Sequence, residues 1–241
     1  MRVNIISNIA EIDIDKESKF NISLRNLLSS TLIELEKNKN IKVIVLNPNI
    51  FTLTTDIEEL AKLEVSELLY WGENIWTPEI LSKPVIAGLK GTVSGASFQL
   101  ALACDIRIGS LSTKLILPEV KYGIVPGSGG ITRLVKNLGM SRAFYYILLG
   151  KYINAREGYE FGIINELVDN DEEVTKRCLE LAEEISKLPE LAVKGLKKII
   201  KRIADSPIDV GTEIEKKTFG LLSFSEDYKE IINKLFGKKN T

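Results

Sequence analysis

Residues 83–134 read KPVIAGLKGTVSGASFQLALACDIRIGSLSTKLILPEVKYGIVPGSGGITRL, and this stretch decides the fold. The apolar run from Val85 to Leu89 follows Pro84 and breaks at Gly91, the pattern of a buried strand entering a turn. Residues 95–104 begin small and continue apolar, which predicts a helix whose first peptide N–H groups are unpaired and open to a ligand. Residues 105–108 return as a strand and 115–117 form another, stopped by Pro118 and Glu119 beside a glycine-rich loop, residues 123–130. Glu119 is therefore a candidate acid or base.

On the N-terminal side, residues 3–6 and 10–15 read as two short strands of a hairpin, the second with period-2 alternation. Leu24, Leu27, Leu28, Leu32 and Leu35 recur at helical spacing, and residues 41–46 then read as a strand. The region from 83 to 117 repeats this strand and helix alternation, so the chain reads as successive ββα turns around one core. Residues 58–82 have helical periodicity and carry Tyr70, Trp71 and Trp76, for which core packing is the default role. Further on, helices are predicted over 141–149, 181–188 and 191–205, with Pro189 offering a boundary. A core of residues 1–188 and a C-terminal helical region of residues 189–241 follow from that boundary. Lys194, Lys197, Lys198, Lys201 and Arg202 make a basic helix face, whose usual fate is solvation and whose alternative is attraction for phosphate.

A chain of 241 residues with 44% hydrophobic residues can bury a sizeable core. With 32 basic against 33 acidic residues, the balance points to neither nucleic acid nor a membrane surface. The absence of histidine is more informative: it removes Ser-His-Asp and Cys-His catalysis and imidazole-based zinc sites, leaving carboxylates to move protons. Cys104 and Cys178 lack CxxC spacing and read as buried thiols of a reducing compartment. No apolar run approaches about 18 residues and no signal-peptide pattern is present, so a cytoplasmic protein is expected.

The order Lys-Pro-Val-Ile-Ala, a glycine turn, a helix ending Leu-Ala-Cys-Asp-Ile-Arg, then Pro-Glu and Gly-Ile-Val-Pro-Gly-Ser-Gly-Gly resembles the enoyl-CoA hydratase/isomerase, or crotonase, family. The resemblance implies an α/β spiral of ββα units with C-terminal helices used for trimer packing, hence a homotrimer or a pair of trimers. It also implies an acyl-CoA substrate, with coenzyme A as part of the thioester and no other cofactor or metal. Gln99 and Glu119, 119 − 99 = 20 residues apart, match the family's two catalytic carboxylate positions, and only the second is an acid here. Residues 51–57, Phe-Thr-Leu-Thr-Thr-Asp-Ile, resemble the family's oxyanion loop, with Thr54 where the family has Gly. Carried over, the N–H groups of Thr55 and Ala96 form the oxyanion hole, and Leu53, Asp56, Ile57 and Glu58 contact substrate.

Such a hole would stabilise charge developing on a thioester carbonyl. A glutamine cannot act as the base for water, whereas shifting a double bond from C3 to C2 requires one base only. The first reading is thus a single-carboxylate enoyl-CoA isomerase. Hydration by Glu119 alone and a catalytically inactive acyl-CoA-binding or assembly paralogue are the alternatives. Tyr122, Ser94 and Ser97 are auxiliary polar groups near the site, with turn or packing roles as their default.

Overall fold

Two of the central strands, Val43–Leu46 and Val85–Leu89, are short apolar runs, fully buried, as expected of a parallel sheet covered on both faces. The computed structural model describes residues 1–14 and 19–237; Asp15, read as the end of the second strand, lies outside them. The strands are β1 Arg2–Ile6, β2 Ile9–Asp13, β3 Val43–Leu46, β4 Val85–Leu89, β5 Thr92–Ser94, β6 Ile106–Ser110, β7 Lys114–Ile116, β8 Ile153–Asn154 and β9 Glu166–Val168. A six-stranded sheet has the order β1-β2-β3-β4-β6-β9, and β5-β7-β8 form a smaller one. β1 and β2 make the expected antiparallel hairpin through Ile6↔Ile9, and β2 through β9 then pair in parallel along the large sheet.

The ββα reading is visible in this topology. β4 enters the large sheet, Gly91 turns the chain, β5 joins the small sheet, and the helix Ala96–Ala103 returns. β6 and β7 repeat the step, β7 pairing in parallel with β5. Alternate side chains then sort to opposite faces. Ile44, Leu46, Val85, Ala87 and Leu89 join the main core, while Val43, Val45, Ile86 and Ile108 pack under Val174, Cys178 and Ala182 of the helix Asp171–Ser186.

Several helical expectations change on folding. Residues 58–82 do not make one helix but the short pieces Ile57–Leu60, Val65–Tyr70, Glu73–Trp76 and Thr77–Ile80. The physical cause is local: Asp56 caps one start, a Glu64–Glu67 capping box makes another, and Pro78 sits in the first turn of the last. Trp71 packs against the core, whereas Tyr70 and Trp76 are exposed rather than buried. The helix expected over 181–188 begins at Asp171, and the one over 141–149 is the end of Gly130–Leu148, kinked at Gly139.

The basic face is the larger correction. On the helix Glu190–Ile203, Lys197 is buried and its Nζ donates to Pro78 O at 3.0 Å and Lys83 O at 2.7 Å while pairing with Asp105 at 2.6 Å. Lys201 donates to Glu79 O at 2.8 Å and reaches Asp105 at 3.1 Å. These two ammonium groups fasten the helix to the core instead of facing solvent or a phosphate.

Candidate active site

Backbone geometry creates the site before any side chain does. Gly95 sits at φ 55°, ψ −124°, a conformation that L side chains avoid. Its N–H donates to Ile116 O at 3.0 Å, which ties the start of the helix Ala96–Ala103 to the end of β7. A methyl group on Gly95 would stand 3.0 Å from Thr55 Oγ1 and 3.7 Å from Glu119 Oε1. Thr55, the helix start and Glu119 therefore converge on one point.

Thr55 is held there by a parallel bridge to Phe20, whose N–H donates to Thr54 O at 3.0 Å. Thr54 needs no left-handed backbone, since Ser7 is the one non-glycine with positive φ among the described residues. A β-branched residue therefore sits at this position without left-handed backbone strain. Ala96 N–H donates to the Thr55 hydroxyl at 3.3 Å, so that oxygen stands where a carbonyl oxygen would accept. Ser97 hydroxyl donates to Leu53 O at 2.7 Å, a structural tie between loop and helix.

Gln99 and Glu119 are brought into contact. Gln99, buried on the helix, donates from Nε2 to Glu119 Oε1 at 3.0 Å. Its Oε1 accepts the N–H of Ser128 at 2.7 Å and of Gly130 at 3.3 Å. These two donors in the glycine loop fix the amide and were not foreseen from the sequence; the loop's small residues were the available signal. Glu119 begins the short helix Glu119–Tyr122 and is 9% exposed, and its Oε2 is buried with no hydrogen-bond partner among the described residues. Burial pushes its carboxyl above the ordinary carboxylate range, opposed by its own backbone and by the Gln99 bond.

The other carried-over residues divide. Leu53 is buried and offers its carbonyl to Ser97. Asp56 caps the helix Ile57–Leu60 by accepting from Glu59 N–H at 3.2 Å and lies 3.5 Å from Lys19. Ile57 and Glu58 are exposed beside it, Glu58 at 3.6 Å from Lys19. Tyr122 is exposed and Ser94 half-buried. Both cysteines are buried free thiols pushed up to about 12 by burial, and so unreactive.

A model of the enoyl-CoA hydratase/isomerase family matches residues 4–240. The chain belongs to that family. It is 29% identical over 227 residues to the 2,3-dehydroadipyl-CoA hydratase of Escherichia coli, covering 89% of each chain. Against the short-chain-enoyl-CoA hydratase of Clostridioides difficile it is 42% identical over 151 residues, 61% of this chain and 94% of that one. The solved enoyl-CoA hydratase subunit I of Geobacillus kaustophilus superposes with a TM-score of 0.91 at 27% identity, covering 100% of this chain and 96% of the other. The fold is that of the crotonases, and the protein is a crotonase-family enzyme of acyl-CoA chemistry.

Proposed function

We propose that this crotonase is an enoyl-CoA isomerase that moves a double bond from C3 to C2 with Glu119 as its one acid/base. The observation that carries the reading is the asymmetry of the Glu119 carboxylate: Oε1 is held by Gln99 and Oε2 is free and buried. Oε2 takes a proton from C2 of a 3-enoyl thioester. The electron pair delocalises over the dienolate, whose oxygen is stabilised by the N–H groups of Thr55 and Ala96, a class of interaction worth roughly 3 kcal/mol per donor. Oε2 returns the proton at C4, leaving the 2-enoyl product. The carboxyl's raised proton affinity suits a group that must both take and give a proton.

Hydration is the second reading, favoured by the names of the relatives, which are hydratases. It requires Glu119 to activate water with Gln99 supplying only an N–H. Incubating the protein with a 3-enoyl-CoA and, separately, a 2-enoyl-CoA distinguishes the two by product mass. Isomerisation leaves mass unchanged and hydration adds one water; the isomerase reading fails if only the water adduct forms.

The same resemblance leads us to propose a homotrimer or pair of trimers. In support, the helices Ile208–Leu222 and Glu226–Phe236 expose Phe219, Leu221 and Phe236, with Phe224 between them, large apolar side chains of the kind that a subunit contact buries. Light scattering on the eluted protein tests this, and a monomer would refute it.

A further inference from the structure

Four buried polar atoms without a hydrogen-bond partner among the described residues belong to residues joined by a series of contacts that starts at Glu119. They are Glu119 Oε2, Ser128 Oγ, Trp71 Nε1 and Arg25 Nη2. Glu119 contacts Gln99, and Gln99 Oε1 accepts the Ser128 N–H. Ser128 packs so closely on Gly72 that a methyl group there would collide with its hydroxyl and with Gly127 O. Trp71 precedes Gly72, and the Arg25 guanidinium lies 3.8 Å from the centre of its indole ring.

Arg25 is a costly residue in this position. It occupies the first turn of the helix Ile22–Lys37, where the aligned peptide dipoles disfavour a cation, and it is 2% exposed. Two of its edges are used: Nε donates to Asn21 O at 3.3 Å, and Nη1 donates to Trp71 O. Glu59 stands 3.9 Å from Nη2, beyond hydrogen-bond reach, and both its oxygens already accept the Ile22 N–H, at 2.8 and 3.2 Å. A third edge of a fixed, buried cation is therefore left without an acceptor, the arrangement that burial penalises most.

The chemistry of these unpartnered donors specifies the ligand. An arginine edge and an indole N–H only donate, and the serine hydroxyl can do so. They require oxygen acceptors, and the cation favours negative ones. A carboxylate supplies two oxygens and the charge. Glu119, at the opposite end of this series of contacts, needs the reacting carbons instead, so a ligand spanning the series would carry its reacting end at Glu119 and its oxygens at Arg25.

We propose that the acyl group accepted by this enzyme ends in a carboxylate, bound by Arg25 Nη2, Trp71 Nε1 and the Ser128 hydroxyl. The proposal rests on the reading of the Glu119 centre as an enoyl-CoA site. Two enoyl-CoA thioesters of equal chain length, one ending in methyl and one in carboxylate, test it, each supplied as the 2-enoyl and the 3-enoyl isomer. The carboxylate ester shows the higher kcat/KM, by at least about tenfold, as expected for a charge-assisted bond.

Trp71→Phe keeps the ring beneath Arg25 and the carbonyl that holds Nη1 while deleting the indole N–H; Ser128→Ala deletes only the hydroxyl. Each lowers the carboxylate-to-methyl ratio several-fold. Equal use of both esters, preference for the methyl ester, or variants that lower both alike would overturn the proposal. If neither ester reacts, calorimetric binding decides: tighter binding of the carboxylate ester upholds it and equal affinities overturn it. Failure to bind either ester or coenzyme A overturns the underlying site as well.

Discussion

Gln99 donates its amide N–H to Glu119 Oε1 at 3.0 Å while its own oxygen is saturated by Ser128 and Gly130 N–H groups. The glutamine thus acts on the carboxylate rather than beside it, selecting which oxygen is free. In Gln99→Glu, the loop N–H groups still have an oxygen to bond, but two carboxylates now meet at hydrogen-bond distance and share a proton. Water-adduct formation from a 2-enoyl-CoA rises by about tenfold or more, within the range of added acid–base catalysis. Product mass measures it, and no gain would show that a second carboxylate is not what hydration lacks here.

Glu119→Gln separates chemistry from stability. The substituted amide keeps an oxygen for Gln99 and removes a carboxylate whose second oxygen is unpartnered, so turnover falls by at least about 100-fold while the melting temperature near neutral pH does not drop. The sign follows from burial, which raises the folded-state pKa. Stability from this group is fully present below the unfolded carboxyl's pKa and is lost as pH rises through the higher folded value. Wild-type turnover accordingly falls on acidification at a pH above the ordinary carboxylate range of about 4.3, and the variant shows no such limb in any residual rate. Melting curves and kcat/KM measured across pH check both halves.

The Thr55 hydroxyl accepts from Ala96 N–H at 3.3 Å, which makes it a competitor for the N–H group proposed as an oxyanion donor. Thr55→Val preserves shape and frees that donor. Because one net hydrogen bond is worth about 1 kcal/mol, kcat/KM should rise a few-fold while the melting temperature falls slightly. A loss of activity instead would assign the hydroxyl to the reaction.

The strand and helix alternation of residues 83–117 was legible because β4 is a continuous apolar run and the helix Ala96–Ala103 a mostly apolar one, the two separated by glycines, where pattern and packing agree. Glu119 was readable as the carboxylate that stops a strand beside a glycine-rich loop, whereas Thr55 and Ala96 were named only through the family resemblance, which carries backbone positions over without regard to side chain. Residues 58–82 misled because capping at Asp56 and Glu64 outweighs periodicity at this short range. Arg25 gave no signal: on the sequence it is one polar residue in an amphipathic helix, and only Trp71, 46 positions later, makes it buried. Lys197 failed for a related reason. Helical spacing assigned it to solvent, and its acceptors, Pro78 and Lys83, come from more than 100 residues upstream.

Lys197 also supplies a test of how the C-terminal helix is attached. Its Nζ satisfies two main-chain carbonyls and pairs with Asp105, whose other oxygen meets Lys201 and which also accepts from Val85 N–H at 2.8 Å. In Lys197→Met, the apolar stem is retained, but Pro78 O and Lys83 O lose this donor inside the protein and Asp105 Oδ2 is left with the Val85 N–H alone. Breaking a buried pair from one side costs about 3 kcal/mol, so the urea midpoint should drop markedly. Lys198→Met, one position along on the exposed side of the same helix, changes stability by less than about 0.5 kcal/mol. Equal effects of the two substitutions would mean that the helix is held by its apolar contacts and that the ammonium group contributes nothing to its docking.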